Sequence, residues 1–434
     1  MKSVAGGWVL AVVAVGLAPA AAGQAASANP AVRRIVEEIS EERIAETLKK
    51  LETFGTRNIM SPGAVAARQW IYDRFKSYSP RLQVRFDSYN VKKQGRVTRD
   101  IELANVIAVL PGSVHPERQF IVGGHYDTIN MSGPDWMGKQ EEAVAPGIDD
   151  DGSGTAAVME LARVMSRREF KQTLVFAAFA GEEQGLLGSA LYAARARREN
   201  QIIDGVLSND IIGTAVGGNG RVENAVVRVF SASPEDSPSR ELARSIKEIG
   251  ERYLPGMKVN LVFRSDRFGR GGDHTPFSEA GYAAVRFTTA NENYSRQHTA
   301  EDVLAHVSVP YIASVAKINA AVLGTLALAP PAPVAAQGNA PLLSRGQSGY
   351  DALLRWQEDG PAADLAGYVV LIRATTAPYW EKEIFAGKAT EFLMENLSID
   401  DLVFGVKALD RDGNESLVSP YVLAPYTRKP VETF

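Results

Sequence analysis

Apolar strand-like segments alternate with amphipathic helical segments from residue 82 to residue 328, and this alternation restricts the fold more than any other feature. The strand-like segments include QFIVGGHYD, TLVFAAFAGEE, GVLSNDIIG, AVVRVFSAS and AAVRFTT. Helical stretches lie between them at 153–165, 186–198, 239–253 and 309–328. Strands that are apolar throughout are buried on both faces, because helices cover the sheet on each side. We therefore predict an α/β domain built on a mixed, largely parallel sheet with helices on both faces.

The composition changes after residue 328 and divides the chain. A length of 434 residues suits two domains. The α/β domain is predicted over 30–328, and the proline-rich segment LALAPPAPVAAQGNAP predicts a linker at 329–345. From 346 to 426, short strand-like segments separated by turn residues predict a small all-β sandwich with Trp356 and Tyr368 in its core.

The first 22 residues have the pattern of a cleaved secretory signal peptide. A basic start at Lys2 precedes an apolar run at 8–17 that is too short to cross a bilayer comfortably, and small residues follow at 20–22. We predict a periplasmic or secreted protein with no membrane span after cleavage. The chain has no cysteine, which excludes disulfides, and its net charge of −4 gives no reason to expect nucleic acid as a partner.

Acidic residues and histidines stand at or just after the ends of successive predicted strands. They are His125, Asp127, Asp149, Asp150, Asp151, Glu182, Glu183, Asp210 and His298. Each has an ordinary structural explanation when taken singly, such as a helix cap or a solvated acid. In parallel sheets, however, the strand ends and the loops after them meet at one edge. Imidazole and carboxylate groups gathered there form a ligand set suited to a transition-metal ion.

Asp149, Asp150 and Asp151 stand together immediately before an apolar helix. One carboxylate at this place is favourable, because it accepts backbone N–H groups and faces the positive end of the helix dipole. Three adjacent carboxylates repel one another, and their burial requires a compensating positive charge. A run of this kind is therefore consistent with bound cations.

The motifs NVIAVLPG, GGHYD, PGIDDDGSG, AFAGEEQGLLGS, ND and HT occur in this order. Over roughly residues 35 to 328 the chain resembles the di-zinc exopeptidases that include bacterial leucyl aminopeptidases, glutamate carboxypeptidase and glutaminyl cyclase. The resemblance implies their zinc-exopeptidase-like α/β fold and two zinc ions per chain. The segments around Trp356 and GYVVLIR resemble a fibronectin type III domain, for which we expect docking of an unknown partner or stabilisation.

The resemblance implies a ligand role for five residues. His125 and Asp210 would hold one zinc ion, Glu183 and His298 the other, and Asp149 would bridge both. The peptide bond after the bridging residue, Asp149–Asp150, would be cis. Asp150 and Asp151 would then shape the backbone and cap the helix, and Gly152 and Gly154 would allow a tight turn into it.

The same resemblance implies the catalytic residues. Glu182 would be the general base toward a hydroxide shared by the two metal ions, and Asp127 would orient His125 from behind. Three further residues are candidates for the substrate side. Tyr294 would donate a hydrogen bond to the oxyanion, while Asp273 and His274 would line the substrate side or brace their loop.

Together these features predict a secreted aminopeptidase acting on peptides. A carboxypeptidase or dipeptidase of the same family stays open, because Arg264, Arg267, Arg270 and Arg296 could bind a substrate carboxylate. A glutaminyl cyclase shares the ligand pattern. An inactive binding protein is the alternative from another class, and it would be expected to have lost ligand residues.

Overall fold

The computed structural model describes residues 28–422. The predicted signal peptide and the last four residues of the predicted sandwich lie outside the described residues, so these parts of the domain prediction stay predictions.

The first unit contains helices and strands in alternation. The helices are α1 (Pro30–Glu37), α2 (Glu41–Glu52), α3 (Pro62–Tyr78), α4 (Trp136–Lys139), α5 (Ser153–Met165), α6 (Leu187–Arg198), α7 (Pro238–Tyr253), α8 (His274–Glu279) and α9 (Val309–Leu328). The strands are β1 (Gln83–Val91), β2 (Ile101–Leu110), β3 (His115–His125), β4 (Gln172–Phe179), β5 (Ile202–Asn209), β6 (Val226–Ser231), β7 (Lys258–Val262) and β8 (Ala284–Thr289).

One eight-stranded mixed sheet organises this unit, in the order β1-β2-β4-β3-β5-β8-β6-β7. The central strands β4, β3, β5 and β8 are parallel, while β1, β2 and β6 introduce antiparallel pairs. Helices cover both faces, and each face has its own apolar core. The predicted α/β class is confirmed. The parallel strands bring the ends of β3, β4, β5 and β8 to the same edge of the sheet.

Helix α9 is long and apolar enough to cross a membrane by length and composition alone, yet 83% of its 18-residue apolar stretch is buried in the protein. It packs against α1, α5 and α7. Its apolar composition is therefore that of a central core helix.

Three segments differ from the sequence-based expectation. The apolar residues of 30–51 have the spacing of one helix, but the segment forms both α1 and α2, because the Ser40 hydroxyl accepts the Arg43 N–H and begins a new helix. Strand β7 was missed, since it is short and alternately exposed. The predicted linker contains short strands at Ala336–Gln337, Ala340–Pro341 and Leu343–Arg345, and Leu342 and Leu343 pack against the second core.

The second unit consists of antiparallel strands around a separate core that includes Trp356 and Tyr368. We number its strands β9 (Ala336–Gln337), β10 (Ala340–Pro341), β11 (Leu343–Arg345), β12 (Ala352–Arg355), β13 (Leu365–Ala374), β14 (Lys382–Gly387), β15 (Glu391–Met394), β16 (Leu402–Asp410) and β17 (Ser419–Pro420). Two sheets carry the fold, with the orders β11-β12-β15 and β14-β13-β16-β17. The expected small all-β unit is thus present, and its likeness to fibronectin type III stays a prediction.

Polar contacts join the β unit to the first half of β3 and to helix α7 of the α/β domain. Arg118 Nη1 donates to Asp359 at 2.6 Å, and Trp380 Nε1 donates to Glu241 at 3.0 Å. Lys407, only 2% exposed, has Nζ 2.8 Å from Glu383, 2.9 Å from Glu415 and 3.5 Å from Glu248 of α7. The β unit is therefore anchored by buried charges at a distance from the loops that follow the central strands.

Replacement of Lys407 by alanine is expected to lower the stability of the protein by about 1–3 kcal/mol, because it removes the buried cation shared by Glu383, Glu415 and Glu248, of which Glu415 and Glu248 keep Arg252. The midpoint of urea unfolding measures the change. Lys388→Ala is the control, because Lys388 is exposed on the same unit, and it should change stability by no more than about 0.5 kcal/mol. Equal stability of the two variants would show that this charge cluster does not anchor the β unit.

Candidate metal centre

Four loops and one turn bring the candidate residues together. His125 ends β3, Glu182 and Glu183 follow β4, Asp210 follows β5, and His298 lies in the loop after β8. A tight turn at Ile148–Gly152 carries the three aspartates to the same place at the start of α5. The parallel arrangement of the central strands is the reason that residues so far apart in sequence meet.

Two groups of donor atoms result. His125, Glu182 and Asp210 form one group, and Asp150, Glu183 and His298 form the other, with the donor atoms of each group within 4.8 Å of one another. His298 Nε2 lies 3.2 Å from Glu183 Oε2. Each group therefore has the size and the mixed imidazole and carboxylate composition of a zinc site.

Asp150 lies between the two groups. Its Oδ1 is 3.2 Å from His125 Nε2, and its Oδ2 is 3.1 Å from His298 Nε2. Each carboxylate oxygen thus faces a different histidine, as is required of a residue that contacts two ions at once.

The structure contradicts Asp149 as the bridging residue. Its Oδ1 accepts the Gly213 N–H at 2.7 Å, and its Oδ2 accepts the Thr214 hydroxyl. The carboxylate is therefore used to hold the loop after β5, while the position between the two donor groups belongs to Asp150. The predicted cis bond is displaced in the same way, from Asp149–Asp150 to Asp150–Asp151.

Asp151 holds the backbone, as expected. Its Oδ2 accepts the His125 N–H at 2.9 Å, and its Oδ1 accepts the Gly154 N–H at 2.9 Å. A Cβ atom at Gly154 would lie only 2.2 Å from the Asn209 carbonyl oxygen, so no larger residue fits where α5 meets β5. The three adjacent carboxylates thus contact three different sets of atoms.

Asp127 positions two parts of the site. Its carbonyl oxygen lies 3.1 Å from His125 Nδ1, and its Oδ1 lies 3.6 Å from the same nitrogen. The carboxylate also accepts the backbone N–H groups of Gly181 at 2.8 Å and Glu183 at 3.2 Å. Asp127 is therefore a positioning residue for both His125 and the loop that carries Glu182.

Three further positioning residues were missed at the level of sequence. Asp302 accepts the N–H groups of Asp149 at 2.8 Å and Asp150 at 2.9 Å. Fully buried Arg57 donates to the carbonyl oxygens of Pro146 and Gly147, just before the aspartate turn. Arg286 on β8 is also fully buried, and its Nη1 lies 2.8 Å from Asp210 Oδ2.

Arg286 had a recognisable signal, because it stands inside the apolar strand AAVRFTT, and a buried arginine requires a partner. Nothing in the sequence pairs Asp302 with the aspartate turn.

Buried donor atoms test whether the centre fits a metal. His125 Nε2, Glu183 Oε1 and Asp210 Oδ1 are buried and have no hydrogen-bond partner among the described residues. Unpaired buried polar atoms are costly, and here they belong to three residues that line one small space. Their types are the ligands zinc prefers, so the residues present fit a pair of zinc ions.

Burial and close charges shift the pKa values in this centre in opposite directions. Burial raises the pKa of the Glu182 carboxyl well above its usual range. Burial also acts to raise the pKa of Asp150, but its close contacts with His125 and His298 outweigh burial and hold the pKa well below its usual range. Burial acts to lower the pKa of His298, but the negative charges of Glu183 and Asp150 outweigh burial and raise this pKa to about 11.

The three candidates for the substrate side do not meet at the centre. Tyr294 is 66% exposed and does not line the cavity that opens onto the two donor groups, so it is not placed to contact an oxyanion there. His274 is buried, and its Nε2 lies 2.7 Å from the Ser265 carbonyl oxygen, which makes it a brace for its own loop. Asp273 is buried behind the centre, where burial raises its pKa to about 7.

A cavity of about 430 Å³ opens onto the donor groups. Its inner end presents Asp150, Glu182, Glu183, Asp210 and His298. Its remaining walls come from the β1–β2 hairpin, the loop after β4 and the segment 267–271, with the side chains of Arg96, Gln184, Leu186, Arg267 and Arg270. The metal centre is therefore accessible to a small ligand or to one end of a chain.

Comparison with known proteins gives a consistent result. Residues 105–323 match the model of peptidase family M28. A probable zinc metalloprotease of Leptosphaeria maculans is 35% identical over 422 residues, covering 89% of this chain and 95% of that protein. One from Pyricularia oryzae is 37% identical over 421 residues, covering 87% and 82%.

Two solved structures share the fold. The LapA aminopeptidase of Legionella pneumophila has a TM-score of 0.55 at 21% identity, covering 69% of this chain and 75% of that one. A glutaminyl cyclase of Fimbriiglobus ruber has a TM-score of 0.54 at 19% identity, covering 65% and 94%. The family match, the sequence relatives and the donor groups agree, and the chain belongs to peptidase family M28 as a zinc metallopeptidase.

Proposed function

We propose that this protein is an exported di-zinc exopeptidase that removes the N-terminal residue of peptides. The observation that carries the proposal is the shared position of Asp150 between two donor groups, with Glu182 beside them. His125 and Asp210 would hold one ion, Glu183 and His298 the other, and Asp150 both. Zinc, when bound, supplies Lewis acidity that activates water and polarises a carbonyl group.

Glu182 is the residue proposed to move the proton. It lies in the donor group of His125 and Asp210 and lines the cavity, so it can reach both a water molecule and a substrate. Burial raises the pKa of its carboxyl, which makes it a better base than an exposed glutamate. In this proposal Glu182 accepts the proton of the attacking water and delivers it to the leaving amine.

The size and charge of the cavity support cleavage at a chain end. A volume of about 430 Å³ is large enough to accept the terminal residues of a peptide. The inner end is lined by carboxylates and the outer walls by arginines. With the substrate ammonium group toward the donor groups, Glu182 is the one lining carboxylate that the proposal leaves without a metal ion.

Arg96 and Arg270 also favour a second candidate function. An enzyme that releases a C-terminal residue, or cleaves dipeptides, requires a cation for the terminal carboxylate, and these arginines could provide it.

One panel of tripeptides separates the candidates. For an aminopeptidase, N-acetylation of the tripeptide should lower kcat/KM by about 100-fold, because it removes the positive charge of the substrate N-terminus. C-amidation should leave cleavage in place. A chelator should stop cleavage whichever end of the peptide the enzyme requires. Cleavage that requires a free C-terminus would establish the second candidate, and cleavage of peptides blocked at both ends would contradict an exopeptidase. A product with a cyclised N-terminal glutamine would point to a cyclase.

The proposed export rests on the sequence of residues 1–22, which lie outside the described residues. Sequencing of the N-terminus of the protein recovered from outside the cytoplasm tests it. A mature chain that begins near residue 23 is expected, and retention of Met1 would contradict it.

A further inference from the structure

Three arginines line the cavity beyond the donor groups, namely Arg96, Arg267 and Arg270. Among the described residues that line it, the only carboxylates are the four that belong to the donor groups. Beyond the donor groups, the lining of the cavity therefore carries cationic side chains and no further acid.

All three nitrogens of the Arg267 guanidinium group donate hydrogen bonds to other groups of the protein. Its Nε donates to Asp266 at 3.1 Å, its Nη1 to Glu292 at 3.2 Å and its Nη2 to the Gly271 carbonyl oxygen at 3.2 Å. Its side chain is almost entirely buried. Arg267 consequently holds the wall of the cavity: each of its three nitrogens already donates to the protein, and two carboxylates compensate for its charge.

Arg96 and Arg270 keep free donors. Arg96 Nη1 donates to the Glu183 carbonyl oxygen at 2.6 Å, and its guanidinium makes no other hydrogen bond within residues 28–422. Arg270 Nη1 donates to Gln297 at 3.2 Å, and its side chain is 33% exposed. Glu292 lies 3.6 Å from Arg270 but already pairs with two other arginines. Each of the two guanidinium groups thus retains donors along one edge.

The balance of charges in the cavity also favours binding of an anionic group by these two arginines. Two divalent ions would compensate for the four carboxylates of the donor groups, and Asp266 and Glu292 compensate for Arg267. Arg96 has no acidic partner among the described residues, and Arg270 has only a shared one. We infer that Arg96 and Arg270 bind a carboxylate of the substrate close to the cleaved bond.

The inference rests on the proposed function and names its substrate class, which is peptides that carry a carboxylate near the cleaved bond. A guanidinium group with two free parallel donors suits a carboxylate in a bidentate arrangement. The carboxylate could be an acidic side chain or the C-terminus of a very short peptide, because both present the same chemistry to the arginines.

Binding of matched peptides tests the inference and separates the two sources. Glu-Ala-Ala-amide is compared with Gln-Ala-Ala-amide, Ala-Glu-Ala-amide with Ala-Gln-Ala-amide, and Ala-Ala-Ala with its amide. Affinities are measured by isothermal titration calorimetry on zinc-loaded Glu182→Gln protein, so that binding is read apart from turnover. At least one carboxylate peptide should bind about 10- to 100-fold more tightly than its neutral match.

Variants identify the groups responsible. Arg270→Gln and Arg96→Gln should each reduce that preference by about 10-fold. Arg264→Gln is the matched control, because Arg264 is exposed on the same segment as Arg270 and does not line the cavity, and it should keep the preference. Circular dichroism and zinc content are compared for all variants. Because Arg96 also contacts the backbone of Glu183, Arg270→Gln decides the test if Arg96→Gln loses zinc.

Two results would overturn the inference: equal affinity within all three peptide pairs, or a preference that survives both substitutions. Peptides bound with the arginine-dependent preference but never cleaved by the parent enzyme would refute the proposed function alone. Peptides cleaved without any preference for a carboxylate would refute the arginine assignment alone.

Discussion

Replacement of Asp150 by asparagine is expected to remove most of the bound zinc, whereas replacement of Asp149 by asparagine leaves the zinc content near that of the parent protein. Asp150 is the carboxylate that faces both His125 and His298, so its loss weakens both ion sites at once. Asp149 instead accepts hydrogen bonds from Gly213 and Thr214, and an asparagine oxygen can still accept one of them.

The effect on affinity should be large. Loss of residues that only support a metal ligand commonly lowers affinity or activity by about 10- to 100-fold, so loss of a shared ligand should exceed about 100-fold. Zinc per chain, determined by mass spectrometry after dialysis against a weak chelator, provides the measurement. Zinc loss in Asp149→Asn with retention in Asp150→Asn would restore Asp149 as the bridging residue.

Replacement of Glu182 by glutamine is expected to lower kcat by about 10²- to 10⁴-fold, the usual contribution of a general base. The substitution keeps the shape of the side chain and removes the group that accepts a proton. Zinc content should stay near that of the parent protein, since His125, Asp150, Glu183, Asp210 and His298 are all retained. Steady-state kinetics on a neutral tripeptide and a metal analysis of the same preparation check both parts.

Glu199→Gln serves as the control for Glu182→Gln, because Glu199 is exposed just after α6 and lies outside the metal centre. Its kinetics should match those of the parent enzyme. Simultaneous loss of zinc and activity in Glu182→Gln would assign Glu182 to the ligands, and unchanged activity would exclude it as the base.

The sequence allowed the location of the centre to be predicted because the relevant information is local. An apolar run precedes each ligand group in the chain, FIVGG before His125, LVFAAF before Glu183 and GVL before Asp210, and the chemical group stands at or just after the end of the strand. Once the central strands are known to be parallel, their ends must share an edge. The approximate positions of the ligands then follow without knowledge of any side-chain contact.

The order of roles among the three aspartates could not be predicted in this way. Their backbone conformations differ, and a shift of one residue exchanges a bridging carboxylate for one that holds a loop. The choice depends on partners distant in sequence, since Asp302 and Gly213 bind the turn from two other loops. Such long-range hydrogen bonds leave no periodic pattern in the sequence.

Attachment of the β unit illustrates the same limit. The change of composition after residue 328 indicated a second unit, and its antiparallel strands are present. Its anchoring through Lys407, Trp380 and Arg118 was not predicted. A lysine in a sequence is expected at the surface, and its burial can be recognised only when its acidic partners are known.

Zinc-edge anomalous diffraction from crystals of the full mature protein tests the central claim most directly. We predict two anomalous peaks, one contacting His125 and Asp210 and the other contacting Glu183 and His298, with Asp150 contacting both. A single peak, no peak, or two peaks that leave Asp150 without a metal contact would contradict the two-metal centre on which the proposed hydrolysis depends.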